Sequence, residues 1–348
     1  MNNELLLKPL NSDFIGSLKN RIVMSAMTRS FAIDGHKCTP EMANYYEKRA
    51  RDGVALLLTE GIIIHPSGDG YNKVPHLHTE VQMKSWKPAV DAVHKQGSRI
   101  YAQLWHCGRI SHPDYTENSE VVSSTSQVAA GINRQNNKPY GDPRALRSDE
   151  MSGIYDMFCH SAELALKAGF DGVELHMGHG YLVDQFLDAQ VNDRIDEYGG
   201  SIENRCRFAI ELLERIISRI GAEHVMVRIS PSRVMGDLYE WPDLYEMLDY
   251  LIAKFKSVGL RQLDVSCANA DYFITSGKII RYIRKQWPYL IVGGASLQIE
   301  DANKEIEDGF LDLVTWGRAI LANPDFVSRV NQNVELLPFD NAMRDSLI

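Results

Sequence analysis

Eight short apolar runs rich in β-branched residues recur along the 348-residue chain, at 21–27, 54–58, 99–105, 172–176, 225–230, 263–267, 290–293 and 313–316. Several are apolar nearly throughout, as in Val54-Ala55-Leu56-Leu57-Leu58 and Val225-Met226-Val227. A strand without a polar side must be covered on both faces, which suits a parallel sheet wrapped by helices and not an antiparallel sheet with one wet face. Helix signals fall between the runs. Thr39 before Pro40 reads as an N-cap with a first-turn proline, and Thr79-Glu80-Val81-Gln82 as a capping box. Ile202, Ala209, Ile210, Leu213, Ile217 and Ile220 share one face at helical spacing.

Strand and helix therefore alternate eight times, which predicts an α/β fold: a single (β/α)8 TIM barrel spanning 1–348, with long βα loops. Such a barrel takes about 250 residues, so the surplus goes to loops and terminal extensions. The largest insertion is about 114–147, rich in Ser, Asn, Gly and Pro, and a connection of that length serves as a lid or binding loop. A doubly wound dinucleotide-binding sheet would need Gly-x-Gly-x-x-Gly at a strand-to-helix turn, and the chain has none.

With a formal net charge of -9 the chain lacks the basic field that nucleic acid or an anionic membrane face requires. Five cysteines with no Cys-x-x-Cys pair cannot all pair within one chain, which points to a reducing, cytoplasmic setting. The start Met1-Asn2-Asn3-Glu4 has no basic n-region, and the apolar stretch 54–64 is interrupted by Thr59-Glu60-Gly61. No targeting or membrane segment is expected. The expected partner is a small-molecule substrate, met by a monomer or homodimer.

In barrels of this type chemistry sits at the C-terminal ends of the strands. Those ends carry Ser25 to Arg29, Glu60-Gly61, Gln103 to His106, His176 to His179, Arg228, Ser266-Cys267, Gly293 to Ser296 and Gly317-Arg318. Gly293-Gly294-Ala295-Ser296 and Gly317-Arg318 read either as a phosphate cradle with a charged fork or as plain turns. His176 and His179 can aim at a metal or at a substrate oxygen, or one of them can merely satisfy backbone groups. Zinc would want a third ligand from Glu174 or Asp184, and His-x-x-His without the metalloprotease glutamate is a weak metal motif. Tyr181 offers a weakly acidic hydroxyl beside them. The Gln103 amide suits the edge of a heterocycle, and Arg228 suits either negative charge on such a ring or an ion pair with Glu174 or Asp264.

Taken together, these segments resemble the old yellow enzyme family of FMN-dependent ene-reductases, from Leu7 to about Arg329. The resemblance is carried by Lys19-Asn20-Arg21-Ile22-Val23-Met24, Met27-Thr28-Arg29, Gln103-Leu104-Trp105-His106, Gly108-Arg109-Ile110-Ser111-His112-Pro113 and Gly172-Val173-Glu174-Leu175-His176. It continues through His179-Gly180-Tyr181-Leu182, Gln185-Phe186-Leu187, the run from Asp196 to Arg205, Gly317-Arg318 and Asn323-Pro324-Asp325.

The resemblance implies a non-covalent FMN across the barrel mouth and NAD(P)H as hydride donor. It puts the Thr28 hydroxyl on flavin O4, Gln103 on the pyrimidine edge and Arg228 beside N1 and O2, with Ser25, Ala26, Met27 and Gly61 lining the ring. Ala295, Ser296, Gly317 and Arg318 would hold the phosphate. His176 and His179 resemble the pair that binds a carbonyl or nitro oxygen, Tyr181 the proton donor, and Tyr71 and Trp105 the pocket walls; no resident metal is expected. The implied activity is ping-pong hydride transfer to an enone, enal or nitroalkene. The rival readings are a metal-dependent hydrolase or lyase using Glu174, His176 and His179, and a flavin-binding protein with isomerase-like turnover. Two features depart from the family: Ser25-Ala26 stands where proline usually precedes the Met-Thr-Arg element, and no tyrosine follows Tyr289 where relatives end in a Phe-Tyr-Gly-rich segment.

Overall fold

Eight parallel strands hydrogen-bond in a closed ring: β1 (Ile22–Met24), β2 (Leu56–Ile63), β3 (Arg99–Trp105), β4 (Gly172–His176), β5 (Val225–Arg228), β6 (Gln262–Asp264), β7 (Leu290–Ala295) and β8 (Leu313–Trp316). This computed structural model describes residues 4–267 and 270–348, without the side chains of Met235 and Ala295. Each strand is followed by a helix on the outside: α1 (Pro40–Asp52), α2 (Glu80–Lys95), α3 (Met151–Ala168), α4 (Ile202–Ile220), α5 (Leu244–Ser257), α6 (Ser276–Ile283), α7 (Ile299–Glu307) and α8 (Arg318–Ala322). The barrel read from the sequence is therefore the fold.

Local chemistry sets these elements. Thr39 Oγ1 accepts from Met42 N at 3.1 Å to start α1, and Thr79 with Gln82 forms the reciprocal capping box of α2. Inside the ring, Val23, Leu56, Leu58, Tyr101, Met226, Leu290, Val292 and Leu313 pack into one cluster. Ile15 and Leu18, from the hairpin Leu10–Ser12 with Gly16–Leu18, join it, so the hairpin belongs to the barrel's packed interior.

The second strand differs from its sequence reading. It continues through Thr59-Glu60-Gly61 to Ile63, fully buried, with a shift of register between Leu58 and Gly61. A carboxylate is admitted there because Glu60 Oε2 accepts from Arg29 N and Ser30 N at 3.0 and 3.1 Å. The insertion at 114–147 also has internal order: Val121–Ser123 pairs in parallel with Pro143–Ala145, and Ile132–Asn133 pairs antiparallel with Lys138–Pro139.

Two aspartates stitch neighbouring strands at the bottom of the barrel. Asp171, just before β4, accepts from Ile100 N on β3 at 2.8 Å, and Asp312, just before β8, accepts from Ile291 N on β7 at 2.8 Å. Asp312 also takes Arg284 Nη2 at 2.7 Å. Charge-assisted hydrogen bonds of this kind contribute roughly 1.5–3 kcal/mol each, so Asp312→Ala should lower the urea midpoint by that much stability with an unchanged slope. A midpoint equal to the parent's would mean the clamp contributes nothing.

Candidate active site

A cavity of about 680 Å³ opens at the C-terminal ends of the strands. Its wall includes Ser25, Ala26, Met27 and Thr28 after β1, Arg228 at the end of β5, Ser296 after β7, and Gly317 with Arg318 after β8, and it reaches Tyr71. Eight of the residues assigned to a cofactor from sequence thus line one mouth, while Gly61, Gln103 and His176 are not among its lining residues. Ala295 ends β7, and its side chain lies outside the described residues.

Strand register puts the rest of the chemistry beside this mouth. Gln103 on β3 is level with Gly61 on β2 and Glu174 on β4, and His176 is level with Arg228, which is level with Asp264 on β6. A side chain on Gly61 would put its Cβ 2.5 Å from the Trp105 ring, so glycine is what lets that indole lie against the strand. Gly178 answers a similar demand: its Cβ would sit 2.8 Å from Ser230 N, and without it the turn after β4 rests directly on the end of β5. His179 N then donates to Ser230 Oγ at 2.6 Å, and Gly180 N to Asp184 Oδ2 at 2.7 Å, which fixes where His179 and Tyr181 project.

These residues form one aromatic cluster. Trp105 lies parallel to Tyr71 at 5.1 Å between centroids and edge-on to Tyr181 at 4.6 Å, while His176 meets Tyr181 at 5.0 Å and His179 at 5.2 Å. The hydroxyls of Tyr71 and Tyr181 are 2.7 Å apart. Burial, and after it the positive charge of Arg228, holds both histidines well below the usual imidazole range. They are neutral at pH 7, each with one N–H to give. Burial first, and Tyr71 next, pushes the Tyr181 phenol well up, so it keeps its proton.

Beneath the cluster lies a buried charged layer. Gln103 Nε2 donates to Glu174 Oε2 at 2.6 Å, and Arg228 Nε stands 3.9 Å from Asp264 Oδ2. Burial and then the neighbouring Asp264 raise Glu174 well above the usual carboxylate range, so it is protonated and the ion pair falls to Asp264. Arg228 therefore both pairs with Asp264 and lines the mouth. Among the described residues, Glu174, His176 and His179 do not gather as a three-donor metal cluster, which removes the footing of the hydrolase reading.

The sequence reading missed part of the wall. Phe339, Arg344 and Asp345 line the same cavity. The tail is held by Arg29, buried beside Thr28, whose Nη2 donates to Met343 O, Arg344 O and Ser346 O at 3.3, 3.4 and 2.6 Å. Arg49 Nη1 donates to Ile348 O. The phosphate reading is also refined. Ser296 precedes the Gln298 cap of α7 and accepts from Tyr272 N at 2.9 Å, and α8 has only 5 residues. Binding of an anion there rests on Arg318, exposed and in no ion pair among the described residues, more than on helix ends.

Arg228 Nε and His176 Nδ1 are buried polar atoms without a hydrogen-bond partner in the protein. Small residues along one wall, a cation at one end and these donors at the other fit a flat, anionic ring cofactor. The sequence profile described as the NADH:flavin oxidoreductase / NADH oxidase family matches residues 5–336. The chain is similar to 12-oxophytodienoate reductase 1 of Oryza sativa subsp. japonica, 36% identical over 330 residues that cover 93% of this chain and 86% of that one. It is likewise 36% identical over 342 residues to 12-oxophytodienoate reductase 7 of the same plant, covering 92% and 86%. The solved structure of the old yellow enzyme homologue from Zymomonas mobilis superposes with a TM-score of 0.90 at 32% identity, covering 97% of this chain and 96% of that one.

The turn that lines the cavity after β1 hangs on Glu60, whose carboxyl is pushed by burial from 4.5 to about 7. The folded protein thus holds a proton that the unfolded chain releases, so Glu60's contribution is full below pH 4.5 and is lost as the pH rises through about 7. Glu60→Gln, which imitates the neutral form, should gain on the parent by up to about 3 kcal/mol between those limits. Urea unfolding at pH 5 and pH 8 measures it, and parallel pH profiles would remove Glu60 from this role.

Proposed function

The chain belongs to the NADH:flavin oxidoreductase / NADH oxidase family, and from that membership we propose that Tyr181, His176 and His179 reduce an activated alkene at the barrel mouth. The protein is an FMN-dependent ene-reductase that takes its hydride from NAD(P)H and acts on α,β-unsaturated carbonyl compounds. The observation that supports the assignment of residues is the Tyr71–Tyr181 hydroxyl pair at 2.7 Å beside two neutral imidazoles.

FMN, when bound, would supply the redox chemistry between NAD(P)H and the alkene. Arg318, Gly317 and Ser296 would hold its phosphate, and Ser25 to Thr28, Gly61, Gln103 and Arg228 its ring. The two histidines donate N–H groups to the carbonyl or nitro oxygen. Because negative charge grows on that oxygen as the β-carbon is reduced, these hydrogen bonds strengthen toward the transition state. Tyr181 gives its proton to the α-carbon, and Tyr71, hydrogen-bonded to it, orients the phenol. Trp105 closes the pocket behind both tyrosines. Donor and substrate use the same mouth in turn, which makes the cycle ping-pong.

No helix among the described residues is long and apolar enough to cross a membrane, and none of the five cysteines is in a disulfide. We propose a cytoplasmic enzyme, a monomer or homodimer, acting on a small molecule.

Reduction by NAD(P)H needs no proton from the protein, whereas saturating the alkene does. Tyr181→Phe should therefore leave bleaching of the flavin by NADPH nearly unchanged in stopped flow, yet slow reoxidation by cyclohexenone by roughly 10²-fold or more. A nitroalkene, whose nitronate can leave before protonation, should be less affected. Equal slowing of both halves, or of neither, would take the proton-donor role from Tyr181.

Arg318→Ala should weaken flavin retention more than chemistry, since a charge-assisted contact to phosphate is worth roughly 1.5–3 kcal/mol. Gel filtration should strip flavin from the variant and not from the parent. Equal occupancy after dilution would refute the phosphate assignment.

A further inference from the structure

Beside the flavin mouth, the loops that follow β1 and β2 lie against each other, with Ala32 N donating to Lys73 O at 2.9 Å and His76 N to His36 O at 3.0 Å. Their contact gathers His36, Asp69 and His76. His76 Nε2 is 2.8 Å from Asp69 Oδ2, His36 Nδ1 is 4.0 Å from the same oxygen, and the two imidazoles stack 3.7 Å apart at 17°. One ligand atom from each residue lies within 4.8 Å of the others, and no other His/Cys/Asp/Glu trio among the described residues does so. Tetrahedral zinc, with bonds of about 2.0–2.1 Å, sets its ligand atoms roughly 3.3 Å apart. To reach that spacing the 2.8 Å His76–Asp69 contact has to lengthen and the 4.0 Å His36–Asp69 separation to shorten.

We infer that His36, Asp69 and His76 form a binding site for a divalent transition-metal ion of the zinc type. Two imidazoles and one carboxylate suit such an ion, while magnesium or calcium would want oxygens throughout. Val74 O, 2.9 Å from His36 Nδ1, offers a further oxygen at the same place. Access is built in: the Asp69 and His76 side chains are only 1% and 2% exposed, but that of His36 is 40% exposed, so an ion enters past His36 and ends on buried ligands. Asp69 is oriented for the task by its other oxygen, which accepts from Tyr71 N at 2.9 Å. The His76 ring hydrogen-bonds through Nε2 to Asp69, and its buried Nδ1 has no hydrogen-bond partner.

The experiment uses the flavin-loaded protein without an affinity tag, chelated, desalted and dialysed against Zn²⁺, with bound metal read by elemental analysis. One zinc per chain at micromolar free zinc is expected, with His36→Ala binding roughly 10-fold or more weaker. Flavin content should be the same in both. Co²⁺ should give a d–d band to the red of the flavin absorption in the parent and not in His36→Ala. Asp69→Asn should abolish binding, and if that buried substitution unfolds the protein, His36→Ala on its exposed turn decides alone. The site is overturned if the parent takes up no zinc, or if His36→Ala binds it as tightly as the parent; the trio is then a hydrogen-bonded His–Asp pair with a stacked neighbour.

Discussion

Arg228 sits at the end of β5 almost wholly buried, and a guanidinium there is tolerable only if its charge is answered inside the protein. Register provides the answer by setting Asp264 level with it on β6, while His176 stands level with it on β4. One cation then has several consequences. It pairs with Asp264, it adds to burial in holding both histidines below the usual imidazole range, and its buried Nε has no hydrogen-bond partner in the protein. Neutral imidazoles can donate to a substrate oxygen without carrying an imidazolium charge that would bind anions indiscriminately. Glu174, with Gln103 on one side and Asp264 near it, is held protonated, so the layer does not collect a second negative charge beneath the ring site.

A second network supports the opposite wall. Glu60 holds the backbone of Arg29 and Ser30, and Tyr46 Oη in turn accepts from Glu60 N at 2.9 Å. The Arg29 side chain reaches the other way, to three carbonyls of the tail, and the guanidinium groups of Arg318 and Arg344 both stack on Phe339, at 5.6 and 5.5 Å. The turn after β1 and the tail are therefore one mechanical unit, although 314 positions separate Arg29 from Met343. On this side the cavity wall is made from a phenyl ring and two arginines.

The barrel was legible because its signals are local. The runs at 99–105, 172–176 and 313–316 coincide with β3, β4 and β8, and the caps at Thr39 and Thr79 form as their residue types require. At the strand ends the resemblance named eight cofactor residues and Tyr71 that line the mouth, while His176, His179 and Tyr181 gather in the aromatic cluster with Trp105. What escaped was non-local. Thr59-Glu60-Gly61 reads as a break because nothing nearby in sequence reveals that the backbone at 29 and 30 will satisfy the carboxylate. Arg228 was left open between an ion pair and a ring contact; it pairs with Asp264 and also lines the mouth. His36, Asp69 and His76 have no motif spacing, since they meet only when two loops pair side by side.

Those two loops also explain why Tyr181 can be held so tightly by residues that are not its sequence neighbours. His112 N donates to Asp69 O, tying the segment after β3 to the loop after β2, and Asp69 Oδ1 fixes Tyr71 N. Tyr71 then lies flat on Trp105 and meets the Tyr181 hydroxyl from the far side of the pocket. The phenol is thus located by two independent anchors: the turn that Gly178 allows to rest on β5, and the loop that Asp69 organises. A proton donor must stay within hydrogen-bond reach of a carbon that changes its geometry during reaction. Two anchors from separate strands hold the Tyr181 phenol, as the proton-donor role proposed for it would require.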